Sequence, residues 1–197
     1  MLLDGEEAMA VEVSAARRRF TRGEYHRMGE VGILTPDDRV ELIRGEIITM
    51  SPQGRRHRAF IDNLNRLLNA SLTDRAIVSV QMPVVLSDDT EPEPDIQILR
   101  RRVVPYKERE AFAEDALLII EVAQTSLAYD RSTKLRLYAE AGVPEYWVVD
   151  CVTESVDVHR GPRGDGYRDV SRVAGSAASV TMETFPDVTL RLSEIFA

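Results

Sequence analysis

The stretch LLIIEVAQTSLAYDRSTKLRLYAEAGVPEYWVVD, Leu117–Asp150, decides how the rest of the chain is read. It opens with LLIIEVA (117–123), an apolar run broken by one carboxylate, Glu121, and such runs belong to central strands covered on both faces. A helix is predicted over Arg131–Ala141, with Asp130 as its N-cap and Gly142 and Pro144 ending it. EYWVVD (145–150) is then a further strand. A charge inside a covered strand calls for a reason, because an unpaired buried carboxylate is costly. Side chains alternate along a strand, so Glu121 shares its face with Ile119 and Ala123. Lys134 stands in the first turn of the predicted helix, four residues before Tyr138 and on the same face. From there its amine can reach back over the strand.

Upstream, the charged loop SDDTEPEP (87–94) leads into a short strand, Asp95–Leu99. Phe60, Ile61, Leu64, Leu67, Leu68 and Leu72 form the stripe of an amphipathic helix over Arg56–Leu72. Before it, VELIRGEIITM reads as a hairpin of Val40–Ile43 and Glu46–Met50 around Arg44-Gly45, and Thr21 caps a short helix reaching Gly29. Ala76–Leu86 is rich in Val and Ile, and Arg100–Asp115 reads as an insertion of loop with one helical turn. Downstream, VDVHR, GPRGDG and YRDVSRVA predict a β-hairpin with a long solvated turn, and TLRLSEIFA (189–197) a last strand or turn. The fold class is α/β (α+β mixed sheet), with a hairpin added at each end of the core.

A chain of 197 residues suits one compact domain, expected over 20–197 and preceded by a disordered or loosely packed arm, 1–19. The formal charge, 25 − 33 = −8, disfavours a protein that coats nucleic acid or anionic membrane nonspecifically, while leaving room for local basic clusters. A single cysteine, Cys151, excludes an internal disulfide and a multi-cysteine zinc centre, and a cytoplasmic setting is expected. The apolar runs fall far short of the roughly 20 residues of a membrane helix. Without HExxH, GxGxxG, GxxxxGK[ST] or GxSxG, the sequence offers no zinc-protease, dinucleotide, P-loop or serine-hydrolase site.

Asp95 and Glu121 remain as the constellation with chemistry. Two carboxylates on neighbouring strands can share a hard cation such as Mg²⁺, with Mn²⁺ able to substitute, and Lys134 can orient water or offset charge on a phosphate. Secondary candidates are Glu46 after the hairpin turn, His57 at the start of the long helix, and Asp130. Arg55, Arg56 and Arg58, with Arg100 to Arg102, are candidate phosphate contacts.

The 117–150 run, VELIRGEIITMSPQGRRH and EPEPDIQIL together resemble the Uma-two family of restriction-endonuclease-type proteins, placed in the PD-(D/E)xK nuclease superfamily. The resemblance spans about Phe20 to Arg160. It implies a restriction-endonuclease-like core in which Pro94-Asp95 matches the PD, Glu121 the second acid, and Lys134 a lysine that has moved from strand to helix. Ala123 stands where the superfamily pattern has its lysine, and AQTS (123–126) replaces leucine, serine, proline, serine. The resemblance implies a Mg²⁺-dependent endonuclease acting on DNA. Cutting both strands calls for two sites, hence a homodimer. The alternative is a nuclease fold that no longer cuts and serves as a binding or regulatory module, which the charge of −8 favours.

Overall fold

The computed structural model describes residues 17–197; most of the expected arm, residues 1–16, lies outside them. The frame is a six-stranded mixed sheet in the order β3 (Ile77–Val80), β4 (Ile96–Leu99), β5 (Ala116–Ala123), β6 (Glu145–Asp150), β7 (Ser155–Arg163), β8 (Gly166–Ala174). Only β5 and β6 run parallel, with Glu121 beside Val148; the other neighbours are antiparallel. All eight residues of β5 are buried, as its apolar run demands. Alternation sends Leu118, Ile120 and Val122 to one face and Ile119, Glu121 and Ala123 to the other.

The first face is covered by α2 (Arg55–Leu72), which buries Phe60, Ile61, Leu64, Leu68 and Leu72 against Trp147, Val149 and Val156. The two-stranded sheet of β9 (Ser179–Thr181) and β10 (Thr189–Arg191), followed by α5 (Leu192–Ile195), completes this layer. Phe60 and Phe196 meet edge to face at 5.1 Å. On the second face, Ile119 and Ala123 pack with Tyr138, Tyr146 and Val148 beneath one continuous helix. It consists of α3 (Leu127–Tyr129), a π-helical turn over Asp130–Lys134, and α4 (Leu135–Glu140).

At the amino end, Thr21 and Glu24 close a capping box on α1 (Arg22–Glu30). The hairpin of β1 (Val40–Ile43) and β2 (Glu46–Thr49) turns through Arg44 and Gly45, both at positive φ, 50° and 75°, as a type I′ turn requires. Among the described residues no helix is long and apolar enough to cross a membrane, and Cys151 is a buried free thiol.

In the Val- and Ile-rich stretch Ala76–Leu86 the strand stops at Val80, because Gln81 adopts a left-handed φ of 49° and Pro83 follows. Two expectations are corrected. The hairpin turn expected to be long is tight: Arg163 pairs with Gly166, so GPR belongs to β7. The helix expected from Arg131 begins at Leu127, so Asp130 lies inside it and is not its N-cap.

The 100–115 insertion is tied down by Asp115, which is wholly buried. Burial opposes its charge, but the Phe112 N–H and the Arg102 and Arg109 guanidiniums, at 3.0, 2.7 and 2.8 Å, outweigh that and hold its pKa below the usual carboxylate value. A depressed folded-state pKa means stability present above the unfolded value and lost as pH falls through the folded one. Asp115→Asn is therefore expected to cost about 1–3 kcal/mol at pH 7 in urea denaturation. The difference from wild type should shrink below about pH 4.

Candidate functional site

Glu121 faces the helix, and two side chains from it converge on one of its oxygens. Lys134 Nζ and Tyr138 Oη donate to Glu121 Oε1 at 3.2 and 2.7 Å. The two donors are four residues apart, one turn of helix, and the small Ala123 side chain leaves them room. The π turn adds one residue where Lys134 sits and so helps set its direction. Lys134 Nζ also donates to Glu41 Oε2 at 2.6 Å, bringing the β1–β2 hairpin onto the site. Burial works against the ammonium, but Glu121 and Glu41 outweigh it and raise its pKa, so Lys134 is held charged.

Asp95 immediately precedes β4. Its Oδ2 accepts from the Val122 backbone N–H at 2.9 Å and from His57 Nε2 at 3.1 Å, which fixes the carboxylate from both β5 and α2. Its Oδ1 has only a long contact, 3.4 Å, from Gln81. With Oδ2 held twice, Oδ1 is the oxygen available to a ligand.

Glu41, His57, Asp95, Glu121 and Lys134 line a cavity of about 400 Å³. Its wall carries five carboxylates, Glu41, Glu93, Asp95, Glu121 and Asp130, against the cations Arg39 and Lys134. Burial, with neighbouring carboxylates adding to it, pushes Glu121 up to about 8 and Asp130 to about 6, although Lys134 pulls the other way and Ser126 Oγ donates to Asp130 at 2.6 Å. Burial first, then the charge of Arg39 against that of Glu41, leaves Glu93 raised as well. An excess of hard oxygen and negative charge in a small, partly desolvated space suits a divalent cation, and Mg²⁺ commonly takes one or two carboxylates and fills the rest of its shell with water. Asp95 and Glu121 supply that number.

Among the described residues, a different group brings three His and acid ligand atoms within 4.8 Å of one another: His26, Glu91 and Glu110. Arg22 already occupies it, with Nε on Glu91 and Nη2 on Glu110, both at 2.6 Å. The guanidinium supplies the positive charge a cation would bring.

Residues 22–193 match a family model, Uma2, whose description is "Putative restriction endonuclease". The chain belongs to the Uma2 family. A solved structure described as "a putative nuclease belonging to DUF820", from Anabaena variabilis, is similar over 90% of this chain and 97% of that one, at 20% identity and a TM-score of 0.70. At that identity the likeness is one of fold. No curated protein matches the chain.

In this Uma2 chain, Asp95, Glu121, Lys134, His57 and Asp130 of the sequence candidates meet at one cavity. Glu46 does not; it shares a face of the hairpin with Glu41 but stands at the turn end of β2, where its side chain faces Arg17 and Arg19 at 3.7 and 3.9 Å. Arg55 and Arg58 are exposed and do not line the cavity, while Arg56 is committed to Glu154 at 2.7 Å and to the Phe60 ring. Of Arg100 to Arg102, Arg102 holds Asp115 and Arg101 holds Asp74. Glu41 was not singled out, although a carboxylate at the second position of the strand-like VELI is the same signal that marked Glu121 in LLIIEVA.

Proposed function

We propose that this protein is a divalent-cation-dependent endonuclease that hydrolyses DNA phosphodiester bonds at the cavity of Asp95, Glu121 and Lys134, working as one nuclease-like domain over 20–197. The observation that carries the reading is the position of Lys134 Nζ. It is buried, charged, bonded to Glu121 and Glu41, and lines the same cavity as Asp95. Membership of a family described in terms of restriction endonucleases supports it.

An ammonium has three protons. Lys134 directs one to Glu41 and one to Glu121, leaving the third for a water or a phosphate oxygen in the cavity. Because its pKa is raised, it does not act as a base near neutral pH; it orients the nucleophile and offsets negative charge growing on phosphorus. A bound Mg²⁺ or Mn²⁺ would be held by Asp95 and Glu121 and would supply Lewis-acid activation of water and phosphate. Tyr138 keeps Glu121 in its rotamer through a 2.7 Å hydrogen bond, and His57 does the same for Asp95.

Supercoiled plasmid incubated with the protein and Mg²⁺ is expected to be nicked or linearised, and EDTA or Glu121→Gln to stop it. Failure to cut DNA with either Mg²⁺ or Mn²⁺ contradicts the reading and favours the non-cutting binding module. Cleavage of RNA alone would replace the substrate and keep the site. We further propose that the active form is a homodimer; a light-scattering mass of one chain, 22.2 kDa, at micromolar concentration contradicts that.

His57 gives a separate test of how the site is held. His57→Ala removes one of the two donors on Asp95 Oδ2 and should weaken Mn²⁺ binding about tenfold in calorimetry, by the typical strength of a hydrogen bond to a charged group. His57→Gln, which can present an N–H near the Nε2 position, should recover most of it.

A further inference from the structure

Tyr129 ends α3 one residue before the π turn and lines the same cavity as Glu41, Glu121 and Lys134. Its hydroxyl is buried and has no hydrogen-bond partner among the described residues. An orphaned buried hydroxyl is unfavourable, and it is unusual here because carboxylates are the strongest acceptors in a protein and five line the same cavity. The phenol engages none of them. The segment that carries it is not loose: Tyr146 Oη donates to the Asp130 carbonyl at 3.0 Å, Ser126 Oγ to the Asp130 carboxylate at 2.6 Å, and Ser132 Oγ to the Ala128 carbonyl at 2.6 Å. Tyr129 is thus held between pinned residues with its donor unsatisfied.

Resting on the nuclease reading of this cavity, we propose that Tyr129 is a further substrate-contacting residue, whose hydroxyl donates a hydrogen bond to a non-bridging oxygen of the phosphodiester. A phenol suits the task. Burial, and after it the charge of Glu41, keeps Tyr129 protonated, with its pKa up at about 12. It therefore brings a donor to an anionic ligand without adding negative charge to a wall that already has too much. Together with the third proton of Lys134, it gives the cavity two unsatisfied donors among acceptors that repel an anion. Two donors placed in this way bind a phosphate diester in a cavity whose carboxylates alone would exclude it.

The test compares wild type with Tyr129→Phe, which deletes one oxygen. The readouts are fluorescence anisotropy of a labelled DNA duplex, and of its single strand, in Ca²⁺ to suppress cutting, together with the melting temperature. The expected result is an affinity about tenfold lower in Tyr129→Phe, from loss of a hydrogen bond to a charged group, with melting unchanged or slightly raised because the hydroxyl had no partner to lose. Equal affinity of the two proteins overturns the proposal and leaves the nuclease reading standing. A lower melting temperature with unchanged affinity also overturns it, as the mark of a structural hydroxyl. Wild type that neither binds nor cuts DNA overturns the nuclease reading, and this proposal with it.

Discussion

Lys134→Met is expected to lower folding stability by about 3–5 kcal/mol at pH 8, the usual consequence of removing one partner from a buried ion-pair network. Viewed as a residue in the exposed first turn of a helix, Lys134 would contribute little. The structure reverses that expectation, because the residue is 4% exposed and is the hydrogen-bonded cation between Glu41 and Glu121. Methionine fills similar volume, so the loss reports charge and hydrogen bonds and not a cavity. The cost should be smaller at pH 5, where Glu121, its pKa raised by burial to about 8, carries a proton, and smaller again with millimolar Mg²⁺, which replaces the missing positive charge. Cleavage should fall by at least about a hundredfold, as for removal of one well-placed electrostatic donor. Urea denaturation at the two pH values, with and without Mg²⁺, checks the first part; a plasmid assay at a temperature where the variant is folded checks the second.

Glu121→Gln should act in the opposite direction on the metal-free fold while abolishing metal binding. Glutamine retains an Oε1 acceptor for Tyr138 and Lys134 but removes a charge that burial disfavours. In the wild type Glu121 titrates near 8 when folded against a model value of 4.5, so between those pH values the native state holds a proton the unfolded chain has lost. Stability must then fall as pH rises through that window. Asp130, raised to about 6, contributes with the same sign. In EDTA, the variant should match or exceed wild type by up to a few kcal/mol at pH 9, and converge with it near pH 4. A cation competes with the same proton, so Mn²⁺ affinity of the wild type should rise with pH over that interval. A wild-type stability curve that climbs from pH 5 to 9 in EDTA as steeply as that of the variant would show that Glu121 is not strained in this way.

Much of the core was legible because its elements carry their own periodicity. LLIIEVA reads as a covered strand and the Phe60 to Leu72 stripe as an amphipathic helix, which placed the central strand and the helix that packs on it. The alternation that put Glu121 beside Ala123 and opposite Ile120 also placed it toward the helix, where Lys134 and Tyr138 meet it. What escaped depends on geometry without a repeating signal. A π turn inserts one residue in a helix of fourteen, too small a phase change to separate from drift, and Asp130 looked like a cap because aspartate is a good one. Glu41 escaped because β1 has only four residues, and alternation over four does not say which face a hairpin will lay on the sheet. Glu46 was favoured instead for standing next to a turn. The orphaned Tyr129 hydroxyl has no signal in sequence, since its meaning lies in the partners it lacks.

If Asp95 and Glu121 hold a divalent cation beside Lys134, an anomalous difference map from crystals soaked in Mn²⁺ will locate it there. One strong peak is expected within about 2.0–2.3 Å of Asp95 Oδ1 and Glu121 Oε2, with Lys134 Nζ still on Glu121 and the remaining ligands water. No peak at that position at millimolar Mn²⁺, or a peak held by His26, Glu91 and Glu110 with the Asp95–Glu121 cavity empty, would contradict it.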